Sequence, residues 1–257
     1  MKKIMIIGGT DSSGGAGLTR DAFTARALGF EVLPIVTAVT AQTNAKLVGL
    51  HMVSPDMVAA QIKAALATDR PAAIKIGMLG SEEIAITVAN ALSDQSCPLV
   101  IDPVLKSSSG GQLMDGLLPR QLLSLARLIT PNLPEAGALS GQPIASTDAE
   151  ITTQAESILA QGAQAVLIKG GHGAGDTSAD HLFEGGETHI LTSPRLQATL
   201  RGTGCALATA IACHLADKRV LPTACRLAKD FVHDRLRDAA ETRRAQTPFN
   251  KTDCQRF

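Results

Sequence analysis

The segment Ile4-Met5-Ile6-Ile7-Gly8-Gly9-Thr10-Asp11-Ser12-Ser13-Gly14-Gly15-Ala16-Gly17 carries an apolar run straight into a glycine-rich turn. Consecutive aliphatic residues without polar alternation describe a strand covered on both faces. Leu18–Leu28 then follows a helical pattern. The same alternation repeats along the chain. Strand candidates are Val32–Val36, Ala73–Ile76, Leu99–Ile101, Leu128–Ile129 and Ala165–Ile168. Helix candidates between them are Asp56–Ala67, Glu82–Leu92, Leu117–Leu125 and Asp148–Gln161. This order predicts an α/β fold with a largely parallel sheet between two helix layers. After Lys169 the rhythm changes. His181–Phe183 and Glu187–Leu191 flank Glu184-Gly185-Gly186, which reads as a hairpin with both histidines, His181 and His189, on its surface. Two helices near Cys205–Ala216 and Thr223–Glu241 close the pattern. Neither a linker nor an internal repeat is visible, so residues 1–242 read as one domain. Residues 243–257 read as a polar tail, irregular or used in a subunit contact.

The first glycine loop fails two familiar tests. Gly9 and Gly14 have Walker A spacing, but Gly15 stands where the lysine belongs. Gly15 and Gly17 open a Rossmann fingerprint, but Arg20 replaces its third glycine. A tight turn alone needs fewer glycines and no serine pair. The excess lets a ligand approach backbone closely.

A second loop, Arg201-Gly202-Thr203-Gly204-Cys205, enters a helix of small residues. Amide N–H groups and the helix dipole at such a start favour an anion. Cys205 falls in the first turn, where a thiol pKa tends to fall. The same residues also suit an ordinary glycine-rich cap with a buried cysteine.

The remaining polar residues cluster at predicted strand ends. Asp102 follows Leu99–Ile101, Asn132 and Glu135 follow Leu128–Ile129, and Lys169 follows Ala165–Ile168. Ligands of open α/β sheets bind at these carboxyl ends. A carboxylate, an amide and a lysine gathered there suit Mg²⁺ and a polyphosphate. Taken singly, Asp102-Pro103 is also a plain turn, and Asn132 with Glu135 also caps a helix. The histidines show no metal-ligand spacing, and no G-x-S-x-G nucleophile elbow is present.

Composition narrows the function. Lys+Arg 24 against Asp+Glu 24 leaves no basic excess for nucleic acid or an anionic membrane. With 6 Phe, no Trp and no Tyr, stacking platforms for single strands are absent as well. The 39 alanines suit helices packed closely on a sheet. Five cysteines without a C-x-x-C pair read as free thiols of a reducing cytoplasm. Met1-Lys2-Lys3 precedes an apolar run too short for a signal peptide, and no stretch reaches membrane-spanning length.

From about Lys3 to Leu236 the chain resembles the hydroxymethylpyrimidine/phosphomethylpyrimidine kinases of thiamin biosynthesis, in the ribokinase-like superfamily. The resemblance rests on the loop at 9–17, Thr37-Ala38-Val39-Thr40-Ala41-Gln42, Lys75-Ile76-Gly77-Met78-Leu79, Asp102-Pro103-Val104, Ile129–Ala136, Lys169-Gly170-Gly171-His172 and Gly202-Thr203-Gly204-Cys205. A cysteine after Gly-Thr-Gly is most like the pyrimidine kinases; sugar kinases and many pyridoxal kinases carry aspartate there. The resemblance implies a three-layer α/β/α sandwich without a lid domain. It implies ATP and Mg²⁺ as co-reactants, a small-molecule acceptor and a homodimer. It places Gly15, Ala16, Asp21, Gln42, Met78 and Val104 around the pyrimidine. Asn132, Lys169, Arg201 and Thr203 go to the nucleotide, and Asp102 and Glu135 to the metal. Gly202, Thr203, Gly204 and Cys205 go to the transferred phosphoryl group and the acceptor. Three positions depart from the usual pattern: Ser108 where many members have lysine, with Lys106 two residues earlier; Arg201 for histidine; and Thr19-Arg20 for Gln-Ala. Pyridoxal kinase activity and a non-catalytic binding role are the alternatives. Without Trp or Tyr, the ring is expected to rest on Met78 and small aliphatics, with Gln42 reading its edge.

Overall fold

The structure is a computed structural model that describes residues 1–105, 113–116, 118–170, 175–196 and 200–246. In chain order the elements are β1 (Lys3–Asp11), α1 (Gly17–Ala27), β2 (Glu31–Gln42), β3 (Leu47–Met52), α2 (Pro55–Thr68), β4 (Ala73–Ile76), β5 (Gly80–Ser81), α3 (Glu82–Leu92), β6 (Leu99–Ile101) and β7 (Met114–Asp115). They continue with α4 (Arg120–Leu125), β8 (Leu128–Ile129), α5 (Leu133–Ser140), α6 (Asp148–Leu159), β9 (Ala165–Lys169), β10 (Thr177–Glu184), β11 (Glu187–Pro194), α7 (Thr203–Ala216) and α8 (Leu221–Gln246).

The main sheet runs β11-β10-β9-β8-β6-β4-β1-β2-β3, and β5 and β7 pair apart from it. From β2 to β9 every pair is parallel; β3, β10 and β11 pair antiparallel at the two edges. Alternation along β1 builds both layers. Met5 and Ile7 face one core with α2–α6, and Ile4 and Ile6 face the other with α1, α7 and α8. This is a three-layer α/β/α sandwich, as the resemblance implies, with no separate lid domain among the described residues.

Side-chain caps are present at some helix starts and absent at others, α4 after Pro119 among the latter. Ser54, Ser81, Asn132 and Thr147 cap α2, α3, α5 and α6 with side-chain oxygens. The helices entered from the two glycine loops, α1 and α7, have no side-chain cap. At α1 the Gly17 N–H meets the Cys205 sulfur, and at α7 no side chain occupies the first N–H groups.

Several expectations need correction. Strand β3 escaped notice because it is an edge strand without a clean alternation, exposing Val48 and Leu50. Helix α5 is real, so Asn132 and Glu135 do form a capping box. His181 is buried rather than at the surface, because β10 is flanked by β9 and β11 and α6 covers it; its Nε2 lies 3.5 Å from Asp148 of α6. Helix α8 continues to Gln246, past the expected start of an irregular tail at 243, and residues 247–257 lie outside the described set. No helix among the described residues is long and apolar enough to cross a membrane. Cys97, Cys205, Cys213 and Cys225 are free thiols.

Candidate active site

The first loop is organised by the Asp11 carboxylate. Its Oδ1 accepts from Ser13 N–H at 2.9 Å and from Ser13 Oγ at 2.8 Å, and its Oδ2 accepts from Ala16 N–H at 2.9 Å. Gly17, at φ +59°, brings α1 against the Gly9 carbonyl; a Cβ there would collide with that oxygen.

The two glycine loops touch. Gly202, at φ +74°, packs against the Gly15 carbonyl and leaves no room for a side chain. Arg201 fastens the junction. Its guanidinium donates to Ser13 Oγ at 2.8 Å, to Asp11 Oδ2 at 3.1 Å and to the Thr43 carbonyl at 3.1 Å. The resemblance put Arg201 on the nucleotide side. The structure places it over the first loop instead, because the buried Asp11 carboxylate is a strong local partner.

Beside this junction lies the charged cluster. Lys169, at the end of β9, donates to Asp102 Oδ1 at 2.8 Å, and its Nζ is 4.0 Å from Glu135 Oε2. Gly204 faces the cluster: a Cβ there would lie 3.4 Å from Lys169 Nζ and 3.7 Å from Asp102 Oδ2. The Gly202–Cys205 turn therefore touches Gly15 and Ala16 on one side and Lys169 with Asp102 on the other.

Burial and charge set the protonation states. Burial would lift the Asp102 carboxyl, but Lys169 and Lys75 outweigh it and hold it below the usual range. Burial would lower Lys169, but Asp102 and Glu135 hold its ammonium above the ordinary value. Glu135 is pushed up to about 7, by burial first and by Asp102, with Lys169 and the Asn132 N–H acting against the shift. Its folded value thus exceeds the unfolded one, so its contribution to stability is lost as pH rises from about 4.5 to about 7. In metal-free protein, Glu135→Gln is expected to flatten the decline of Tm across that window. An undiminished decline in the variant would assign it to another group.

Cys205 corrects an expectation. Its thiol is pushed up to about 11, not down: burial dominates, and Lys75 and the Gly17 N–H only partly offset it. The helix-start position favours the thiolate, but desolvation together with the Asp21 and Asp102 charges outweighs it at this half-buried thiol.

Other expected residues are dispersed around the turn. Met78 is buried beside Gly9, whose Cβ would lie 2.9 Å from the sulfur, and packs with Ala38, Leu113 and Val104. Gln42 exchanges backbone contacts with the Ser12 hydroxyl at 2.8 and 2.9 Å. Asn132 accepts the Glu135 N–H at 2.8 Å within the capping box. Asp21 departs from the expected pocket-lining role. It is sealed, with both carboxylate oxygens engaged by Lys75 and Thr209, because it sits on the sheet-facing side of α1. Phe23 points outward from α1, 60% exposed, so no aromatic flanks the first loop from that helix. Lys106, Ser108 and His172 lie outside the described residues. Lys75 and Asp11 stand within motifs read from the sequence but have no role of their own there, and Thr209 is not singled out. The available signal was a lysine inside the otherwise apolar β4 run Ala73-Ile74-Lys75-Ile76.

Two uncapped helix starts, a lysine and two carboxylates around one turn can bind a polyphosphate and present a small acceptor to it. On this sheet, such a site places the chain among the ribokinase-like small-molecule kinases. The phosphomethylpyrimidine kinase family matches residues 11–250. The hydroxymethylpyrimidine/phosphomethylpyrimidine kinase of Rhizobium meliloti (strain 1021) is 38% identical over 232 residues, covering 88% of this chain and 87% of that one. The enzyme of the same description from Escherichia coli (strain K12) is 40% identical over 220 residues, covering 82% and 83%. Among solved structures, phosphomethylpyrimidine kinase from Clostridium difficile 630 superimposes with TM-score 0.78 at 31% identity, covering 91% of this chain and 99% of that one. Pyridoxal kinase from Staphylococcus aureus in complex with pyridoxal reaches TM-score 0.83 at 31% identity, covering 93% and 88%. The chain belongs to the phosphomethylpyrimidine kinase family and is a phosphotransferase.

Proposed function

We propose that the chain transfers the γ-phosphoryl group of ATP to the hydroxymethyl oxygen of 4-amino-5-hydroxymethyl-2-methylpyrimidine, and a second one to the resulting monophosphate. The observation that carries this reading is the Gly202–Cys205 turn, in contact with the Gly15–Ala16 loop on one side and Lys169 with Asp102 on the other. The curated pyrimidine kinases above support the acceptor. The S. aureus pyridoxal kinase solved with AMP-PCP and pyridoxal supports a nucleotide co-substrate.

In this reading the amides at the start of α7 hold the migrating phosphoryl group, where charge is stabilised without reorganisation. The Lys169 ammonium offsets polyphosphate charge. Cys205, mostly a thiol in the ligand-free chain, orients the acceptor oxygen, and its minor thiolate form is the one that takes the hydroxyl proton, late in a loose transition state. Gln42 presents both a donor and an acceptor to the aminopyrimidine edge, and Met78 lies against its face.

The residues fit Mg²⁺. Kinase sites hold the ion through one or two carboxylates plus substrate phosphates, not through a closed protein cage. Asp102 and Glu135 supply such a pair, and no group of three or more metal-ligating side chains occurs among the described residues. When bound, the ion would neutralise charge on the phosphate oxygens. A second copy of the chain as partner, and a reducing cytoplasm as location, complete the proposal.

The high structural similarity to pyridoxal kinase favours pyridoxal as the second acceptor to compare. Mass spectrometry of the products formed from ATP and each acceptor tests the reading. Phosphoryl additions to the pyrimidine are expected; turnover of pyridoxal alone would favour the other reading.

A further inference from the structure

Lys75 is the bulkiest of the fully buried side chains among the described residues, and no step above uses it. It lies on β4 between β1 and β6, facing the layer formed by α1 and α7, while Ile74 and Ile76 face the opposite layer. Its Nζ donates to Asp21 Oδ2 at 2.7 Å, and both side chains are only 1% exposed. Thr209 Oγ1 donates to the other oxygen, Asp21 Oδ1, at 2.8 Å. Thr209 lies one helical turn beyond Cys205, so it shares that face of α7. The backbone is shaped around the ammonium. A Cβ at Gly77 would stand 2.7 Å from Nζ, tighter than any ordinary contact.

A buried ion pair is a weak source of stability, since apolar side chains of similar volume often do as well or better. This one also stands where a fixed charge would matter. Its ammonium acts on the Cys205 thiol and on Asp102, drawing both downward against their burial.

We propose that Lys75 is a positioning residue for phosphoryl transfer: held by Asp21 and Thr209 beneath the Gly202–Cys205 turn, its ammonium supplies fixed positive charge behind the acceptor side of the reaction. The proposal rests on the kinase reading above. A charge fixed in a dry site acts on the developing charge without reorganising, so it lowers the barrier more than it tightens binding.

The test compares the full chain with Lys75→Met and with the neutral pair Lys75→Met/Asp21→Asn. The single variant strands a buried carboxylate, so its Tm falls. The neutral pair keeps an acceptor for Thr209, so its Tm recovers. Its kcat is nevertheless expected to fall about tenfold or more, less than the ~10²–10³ of a donor that touches the transferred group. KM for ATP and for the acceptor should stay within about twofold, because the charge acts on the transition state. A neutral pair with recovered Tm and wild-type kcat overturns the proposal, as does a loss confined to KM. If the neutral pair fails to fold, the rates are read on Lys75→Met below its lowered Tm, since it too lacks the ammonium. A lower kcat at unchanged KM supports the proposal there, and a wild-type kcat overturns it. Wild-type turnover is measured first on both pyrimidines and on pyridoxal. No turnover of either pyrimidine overturns the acceptor reading, and the variants are then compared on the acceptor that is used.

Discussion

Cys205→Ala lowers kcat for the alcohol acceptor by about 10²-fold, the low end for a lost acid–base group, and leaves transfer to the phosphate acceptor nearly intact. An alcohol must lose a proton during transfer; a phosphate monoester is already largely ionised near neutral pH. The low end is expected because the thiol is pushed up to about 11, which leaves little thiolate at neutral pH. A loose transition state asks for the proton late, so a weakly ionised group still serves. For the same reason kcat with the alcohol should climb with pH through the neutral range more steeply than kcat with the phosphate acceptor. Steady-state rates with each acceptor separate the cases. Equal losses on both acceptors would remove the proton-accepting role and leave Cys205 as packing.

Gly204→Ala is expected to uncouple stability from activity. Gly204 lies in the first turn of α7, and an added Cβ meets only ordinary contacts, at 3.4 Å from Lys169 Nζ and 3.7 Å from Asp102 Oδ2. Exchanging glycine for alanine in a helix stabilises it by roughly 0.5–1 kcal/mol, so Tm should rise slightly. The methyl group would occupy the space between the helix start and the charged pair, on the proposed path of the phosphoryl group. Activity should fall by about 10²-fold or more, comparable to loss of an oxyanion-hole donor. An intact kcat in a folded Gly204→Ala protein would move the transfer path away from this turn. Gly202 offers no such test, because a side chain there collides with the Gly15 carbonyl and strains a left-handed backbone.

Most of the sheet was legible in the sequence because its strands are buried on both faces. Continuous runs such as Ala73–Ile76 and Leu99–Ile101 coincide with β4 and β6. Both glycine loops were legible too, since each exceeds what a turn requires. Edge strand β3 was not, because half-exposed strands dilute the apolar signal. Pairings between distant elements were also hidden. Arg201 meets Asp11 across 190 positions of sequence, and Thr209 meets Asp21 across 188. No local pattern encodes such contacts. The Cys205 shift was misjudged for a related reason: helix-start electrostatics can be read from the motif, but the burial that outweighs them comes from α1 and β4.

The absence of Trp and Tyr acquires a structural counterpart. Phe23 faces solvent, and the residues gathered near Gly9 are Met78, Ala38, Leu113 and Val104. A flat heterocycle held there rests on sulfur and aliphatic carbon, and its orientation depends on polar contacts at its edge.

The proposed activity is the successive addition of two phosphoryl groups to the same pyrimidine at one site. Its most direct test is time-resolved mass spectrometry of a reaction containing the full chain, Mg²⁺, ATP and 4-amino-5-hydroxymethyl-2-methylpyrimidine as sole acceptor. A monophosphate that rises and then decays into the diphosphate is the expected result. A reaction in which ATP is not consumed, or in which the pyrimidine is recovered unmodified while pyridoxal is phosphorylated, would contradict it.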